Sequence, residues 1–217
     1  MSKVRQLLLI GGVLACASLA AGAQHPTPAP STPELPAQLS LATRQAILRL
    51  GDSLRTAGLS DAPLYAKAAE GVLKGATEAR ILAAVRALAR ELGEARAALG
   101  TSVDDADLIA AASALHVGAT APMLTQLGNT YRAVGTGERA SLATQLVALT
   151  DLLARGVPAI AAAAAIDSLA VRRAPADDFA ALRAAVARDI GAGRPPEASV
   201  VQRTQILLKG IDSRRQP

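Results

Sequence analysis

A short turn motif recurs along this 217-residue chain and limits the folds that it can adopt. Each copy is a glycine, one further residue and then Thr or Pro, at Gly75-Ala76-Thr77, Gly118-Ala119-Thr120, Gly156-Val157-Pro158 and Gly193-Arg194-Pro195. Glycine can take the left-handed conformation that ends a helix. Thr can cap the helix that follows, and Pro fits its first turn. The motif therefore predicts four tight helix-to-helix turns at intervals of roughly 40 residues.

The segments between these turns have helical periodicity. Apolar residues recur at steps of four and three, most clearly in Ile81, Val85, Leu88, Leu92, Ala95 and Leu99, and such spacing forms one apolar face of a helix. No run alternates apolar and polar residues over the length of a strand. The pattern predicts nine helices, at 41–57, 62–74, 78–99, 103–116, 121–133, 138–155, 158–172, 176–190 and 196–209.

The repeated turn pairs the helices into four hairpins, 62–99, 103–133, 138–172 and 176–209, behind a leading helix at 41–57. Only 1% of the residues are aromatic, so the core has to be built from small and branched aliphatic side chains that allow close helix packing. We predict an all-α fold, a short α-solenoid of stacked hairpins. An irregular helical bundle is the alternative, because Gly-Thr and Gly-Pro suit any tight turn.

The first 23 residues have the pattern of a secretory signal peptide. Lys3 and Arg5 precede the apolar run 7–14, and a small-residue stretch offers a cleavage point after Ala23. We therefore expect a periplasmic or secreted protein that begins at Gln24. The alternative is an outer-membrane lipoprotein anchored through Cys16, because Val13-Leu14-Ala15-Cys16 resembles a lipidation motif.

The rest of the chain divides by composition. Residues 24–37 include the proline-rich stretch HPTPAPSTPELP, which predicts an extended linker. The helical-repeat domain is predicted at 38–212, and residues 213–217 are expected to form a disordered tail. No run after the signal is long and apolar enough to cross a membrane, so no transmembrane helix is expected in the mature protein.

One helix carries an unusual polar segment. Lys67, Glu70 and Lys74 are spaced three and four residues apart, so they share a helix face. Gly71 lies beside them inside the helix, where glycine costs roughly 1 kcal/mol relative to alanine. This K-x-x-E-G-x-x-K-G pattern, which ends at Gly75 and is followed by a capped helix, resembles uncharacterised secreted bacterial helical proteins without a known activity. We interpret these four residues as candidates for partner binding, with close packing of a neighbouring helix on Gly71 as the alternative.

The sequence offers little chemistry for catalysis or cofactor binding. Without Cys16 the chain has no cysteine, and His25 and His116 are its only histidines, so we expect neither a metal nor another cofactor. Asp104, Asp105 and Asp107 fit the first turn of a helix, where acids are favoured. His116 fits a helix C-terminus, beside free carbonyl groups.

These observations favour an interaction protein. Glu70 is the conceivable general acid of a helical hydrolase acting on an envelope polymer, which is the alternative function. Aromatic residues that would stack on sugars or bases are few, so nucleic acid is not an expected partner. Removal of Lys3 and Arg5 with the signal lowers the formal charge from +5 to +3, which still suits weak attraction to an anionic surface. We expect a non-enzymatic scaffold of the bacterial cell envelope that binds a protein or peptide.

Overall fold

The computed structural model describes residues 34–135 and 139–215. This part of the chain contains nine helices and no strand, which confirms the all-α prediction. The signal peptide, Cys16 and most of the linker lie outside the described residues. The helices are α1 (Leu41–Thr56), α2 (Ala62–Leu73), α3 (Glu78–Leu99), α4 (Asp105–His116), α5 (Ala121–Ala133), α6 (Leu142–Ala154), α7 (Ala159–Val171), α8 (Ala176–Gly191) and α9 (Pro196–Arg215).

The helices stack in two layers. In one layer α3 packs against α1 and α5, and α7 packs against α5 and α9. In the other layer α6 lies between α4 and α8. Close packing joins helices that are one or two places apart in the chain, as expected for a short α-solenoid.

The four repeated glycines end helices in the left-handed conformation. Their φ angles are 65° at Gly75, 109° at Gly118, 79° at Gly156 and 84° at Gly193. In each turn the amide of the next residue donates to a carbonyl five residues back, as in the bond from Val157 to Leu152 at 3.1 Å. This is the Schellman arrangement, which satisfies carbonyl groups that the helix end leaves free.

The structure adds a turn of the same type that the glycine pattern did not predict. Arg173 follows α7 with a φ of 51°, and the amide of Ala174 donates to the oxygen of Leu169 at 3.0 Å. Pro175 then precedes α8, as Pro158 precedes α7. An arginine thus holds a position where a side chain costs roughly 1–2 kcal/mol in the left-handed region.

Two of the helix starts differ from the prediction because other side chains cap them. Asp104 accepts a hydrogen bond from the amide of Asp107 at 2.8 Å, so α4 begins two residues after the predicted start at 103. Ser141 caps α6 through the amide of Thr144, which places the start at Leu142 instead of 138. Thr77 caps α3 as predicted, whereas Thr120 makes no capping bond with its side chain.

Arginines tie successive helices of one layer together at their C-terminal ends. In three cases a guanidinium donates to a main-chain oxygen at the end of the preceding helix of that layer. The pairs are Arg96 with Gly58 at 3.4 Å, Arg132 with Leu99 at 3.0 Å and Arg173 with Val134 at 2.6 Å. These oxygens belong to helix ends or the turns after them, where carbonyl groups lack intrahelical partners.

The last helix extends beyond its predicted end at 209. It runs to Arg215, through Ser213 and Arg214 of the predicted disordered tail. Arg214 donates to Asp178 of α8 at 2.8 Å, and Arg203 donates twice to Asp189, each time at 2.7 Å. These ion pairs hold α9 on α8. Within the described residues, no helix has the length and apolar character needed to cross a membrane.

Candidate functional site

A groove opens where the second layer is interrupted. Both α2 and α4 pack on α3, but within the described residues they do not pack closely on each other. The floor helix α3 has 22 residues and the two walls have 12 each. At 1.5 Å per residue the floor is about 33 Å long and each wall about 18 Å. The separation leaves a groove of about 860 Å³.

Apolar side chains supply most of the groove surface. The floor contributes Ala84 and Leu88, and the α4 wall contributes Ile109 and Ala112. Ile109 remains 43% exposed, a large fraction for an isoleucine. The α2 wall contributes Ala62, Pro63 and Ala66. Small residues on all three helices let another backbone approach closely.

Each hydroxyl group that lines the groove makes one hydrogen bond within the protein. Ser113 donates to the oxygen of Ile109 at 2.8 Å, and Thr150 donates to that of Leu146 at 2.9 Å. Ser60 accepts from the amide of Ala62 at 3.3 Å. The walls therefore offer an occupant mainly apolar contact and charge.

The predicted polar face of α2 forms one rim of the groove. Lys67 and Glu70 line it, and Lys74 lies one turn further along α2. Glu70 accepts from Lys67 at 2.9 Å and from Lys74 at 2.5 Å. The hydrogen bonds from Lys74 and Lys67 lower the pKa of Glu70 from 4.5 to about 2. Glu70 therefore remains ionised at any pH near neutrality.

Gly71 faces into the protein. A β-carbon built at this position would lie 2.6 Å from Cγ1 of Ile81, on the first turn of α3. Real β-carbons essentially never come so close to another heavy atom. Of the two interpretations of Gly71, this geometry favours the close packing of α2 on α3. The partner-binding candidates that line the groove are Lys67 and Glu70.

A second side-chain pair crosses from the floor to the α4 wall. Nδ1 of His116 lies 3.0 Å from Oε1 of Glu91. The Glu91 side chain is only 13% exposed, whereas that of His116 is 67% exposed. We predicted that His116 meets free carbonyl groups at the helix end, and the structure instead gives it a carboxylate partner on α3.

The acidic cluster at the start of α4 has the predicted place in the helix. Asp104 is the N-cap, and Asp105 and Asp107 lie in the first turn. Burial and the neighbouring Asp104 raise the pKa of Asp107. Asp105 also lines the groove. Among the residues that the structure describes, no group of three or more His, Cys, Asp or Glu is arranged to hold a metal ion.

The sequence analysis did not identify Ile109 or Glu91 as site residues. For Ile109 the sequence contains a signal, because α4 is apolar around most of its circumference. Its neighbours in the array do not enclose it on all sides, so part of this apolar surface stays exposed. For Glu91 no local signal exists, since its partner lies 25 residues away. Comparison of the chain with known protein families, curated proteins and solved structures found no match.

Proposed function

We propose that this protein is a non-enzymatic interaction module of the bacterial cell envelope, and that the groove between α2 and α4 binds a protein or peptide partner. The observation that carries this proposal is the groove itself. It has a volume of about 860 Å³, mostly apolar walls and charged residues at its rims. A concave apolar surface with a few placed polar groups is the usual form of a binding site. Helical arrays commonly use such surfaces for partners.

The ionisation of Glu70 supports binding over hydrolysis. A general acid must carry a proton near neutral pH, which requires a raised pKa. The two lysines lower the pKa of Glu70 instead. The general acid suggested for the alternative hydrolase is therefore held as a carboxylate by its two ion pairs.

Export is part of the proposal and rests on the signal pattern of residues 1–23. The intact mass of the protein purified from its own host tests it. We expect a chain that begins at Gln24. A lipid-modified chain that begins at Cys16 would instead place the module on a membrane anchor, and an unprocessed chain would contradict export.

Site-specific photo-crosslinking tests the binding function. A photoreactive amino acid at Ala66, an exposed position on the α2 wall, should crosslink to a polypeptide partner in living cells. The matched control is Gln205, an exposed residue of α9 outside the groove. The Ala66 crosslink should disappear when Ile109→Glu places a charge on the opposite wall. Equal crosslinking from both positions, or none from Ala66, would refute the proposal.

A further inference from the structure

We infer that the groove recognises a cationic amphipathic helix of the partner, an inference that rests on the proposed binding function. Three features of the groove lead to this class of ligand: its size, the hydrogen-bonding state of its walls and the sign of its charge.

The length of the groove walls suits a helical segment of about three turns. Each wall is a helix of 12 residues, about 18 Å long. An occupant between α2 and α4 would lie on α3, in the layer where those two helices are separated.

The walls favour a helix over an extended peptide. An extended segment presents backbone amide and carbonyl groups that need partners when they are buried. Ser113 and Thr150 donate their hydroxyl protons to carbonyl groups of their own helices, and the backbone in the middle of each wall is bonded within its own helix. A helix satisfies its own backbone and needs only side-chain contacts, which is the helix-in-groove mode of recognition.

The charges favour a basic ligand. The groove is lined by three carboxylates, Glu70, Glu91 and Asp105, and by the basic side chains Lys67 and His116. Lys67 and Lys74 pair with Glu70, and His116 lies 3.0 Å from Glu91, whose side chain is only 13% exposed. Asp105 is exposed in the first turn of α4, so the negative charge that is open to a ligand lies at this end of the α4 wall. A basic side chain of the ligand would complement Asp105, and complementary charge selects the ligand and speeds its association.

Four synthetic peptides test this inference against the purified full-length protein. Three share one apolar helix face of Leu and Ala at positions i, i+3, i+4 and i+7, with Lys, Gln or Glu at the polar positions. The fourth is the Lys peptide with a central proline that breaks the helix. Each peptide carries a fluorophore, and its dissociation constant is measured by anisotropy at low and at high salt.

We expect the Lys peptide to bind at least about ten times more tightly than the Glu peptide, with the Gln peptide between them. The difference should shrink at high salt, because salt screens exposed charges. The proline peptide should lose about tenfold or more. Asp105→Lys should narrow the preference for the Lys peptide, whereas Asp177→Lys, the matched change in the first turn of α8, should leave it unchanged.

Two further variants assign the binding to the groove. Ile109→Glu should weaken the binding of every peptide. Ile206→Glu, at a comparably exposed isoleucine of α9, should not. If the Lys, Gln and Glu peptides bind with equal affinity and all lose binding in Ile109→Glu, the charge preference is overturned, and binding in the groove is not. Equal binding of the proline peptide would overturn the helical ligand, and no binding by any peptide would overturn the whole inference. Crosslinking from Ala66 decides the binding function independently of these outcomes.

Discussion

Arg132 of α5 donates through Nη1 to the main-chain oxygen of Leu99, the last residue of α3, at 3.0 Å. The bond joins two successive helices of one layer at the same end. Related bonds from Arg96 and Arg173 occupy the corresponding places along the array. The C-terminal end of this layer is therefore held by side chains that bridge from one repeat to the next.

Removing the Arg132 bond should destabilise the fold. We expect Arg132→Met, which keeps an unbranched apolar chain, to lower the free energy of unfolding by about 1 kcal/mol and the Tm by roughly 2–4 °C. Chemical denaturation followed by circular dichroism measures the change. The matched control is Arg90→Met, at an exposed arginine of α3. An equal loss in both variants would contradict a specific role for the Arg132 bond.

Gly71 should not tolerate a side chain, since its β-carbon would clash with Ile81. We expect Gly71→Ala to cost about 1–3 kcal/mol through overpacking, more than the gain in helix propensity. Gly93→Ala is the control, because Gly93 has open space around it inside α3 and should gain up to about 1 kcal/mol. Thermal melting compares the two variants.

The contact with Ile81 can be tested by a double-mutant cycle. Ile81→Ala removes the atom that the new β-carbon would meet, so Gly71→Ala should cost less in that background than in the wild type. Simple additivity of the two substitutions would show that Gly71 is constrained by something other than Ile81.

A β-carbon in the left-handed region should lower stability both at the turn glycines and at Arg173. Gly156→Ala should lower stability by roughly 1 kcal/mol, because its φ of 79° disfavours a β-carbon. At Arg173, with a φ of 51°, Arg173→Gly should be about 1 kcal/mol more stable than Arg173→Ala. Both Arg173 variants lose the bond to Val134, so their difference isolates the backbone. Equal unfolding free energies for these two variants would refute the left-handed strain.

Glu78 should make the stability sensitive to acid. Its carboxylate accepts from the hydroxyls of Ser40 and Thr43 and from the Ser40 amide, and these bonds lower the pKa of Glu78. A lowered folded-state pKa gives stability that is present above the ordinary glutamate pKa of 4.5 and is lost as the pH falls through the folded-state pKa.

Glu78→Gln should therefore be less stable than the wild type at pH 7, and the difference should shrink below about pH 4. Urea unfolding at a series of pH values measures it. Glu197→Gln is the control, because Glu197 is likewise an acid in the first turn of its helix. A constant difference between Glu78→Gln and the wild type across the pH range would contradict the assignment.

Much of this fold was predictable because its turns are encoded locally. Gly75, Gly118, Gly156 and Gly193 each end a helix through their own backbone conformation, which a few neighbouring residues determine. The predicted helices at 158–172 and 176–190 leave a turn around Arg173, but its left-handed conformation was not predicted, because arginine rarely adopts it. The start of α6 was placed four residues early, because periodicity does not locate a capping side chain such as Ser141.

The contacts of the candidate site within one helix were predictable from the sequence, and its contacts between helices were not. Lys67, Glu70 and Lys74 pair within one helix, so their spacing alone places them together. The pair of Glu91 and His116 depends on how α4 lies on α3. The groove depends on the separation of α2 from α4, a relationship between three helices that no single segment encodes.

The gap beside α2 should make this helix easier to unfold locally than helices inside the array. In stacked repeats each helix is stabilised by its immediate neighbours, and α2 packs closely on α1 and α3 while its other flank faces the groove. Amide protons of α2 should therefore exchange with solvent through local opening at lower cost than those of α6, which is enclosed by three helices. A ligand that binds in the groove as proposed would supply the absent neighbour, and its binding would then be linked to the ordering of α2.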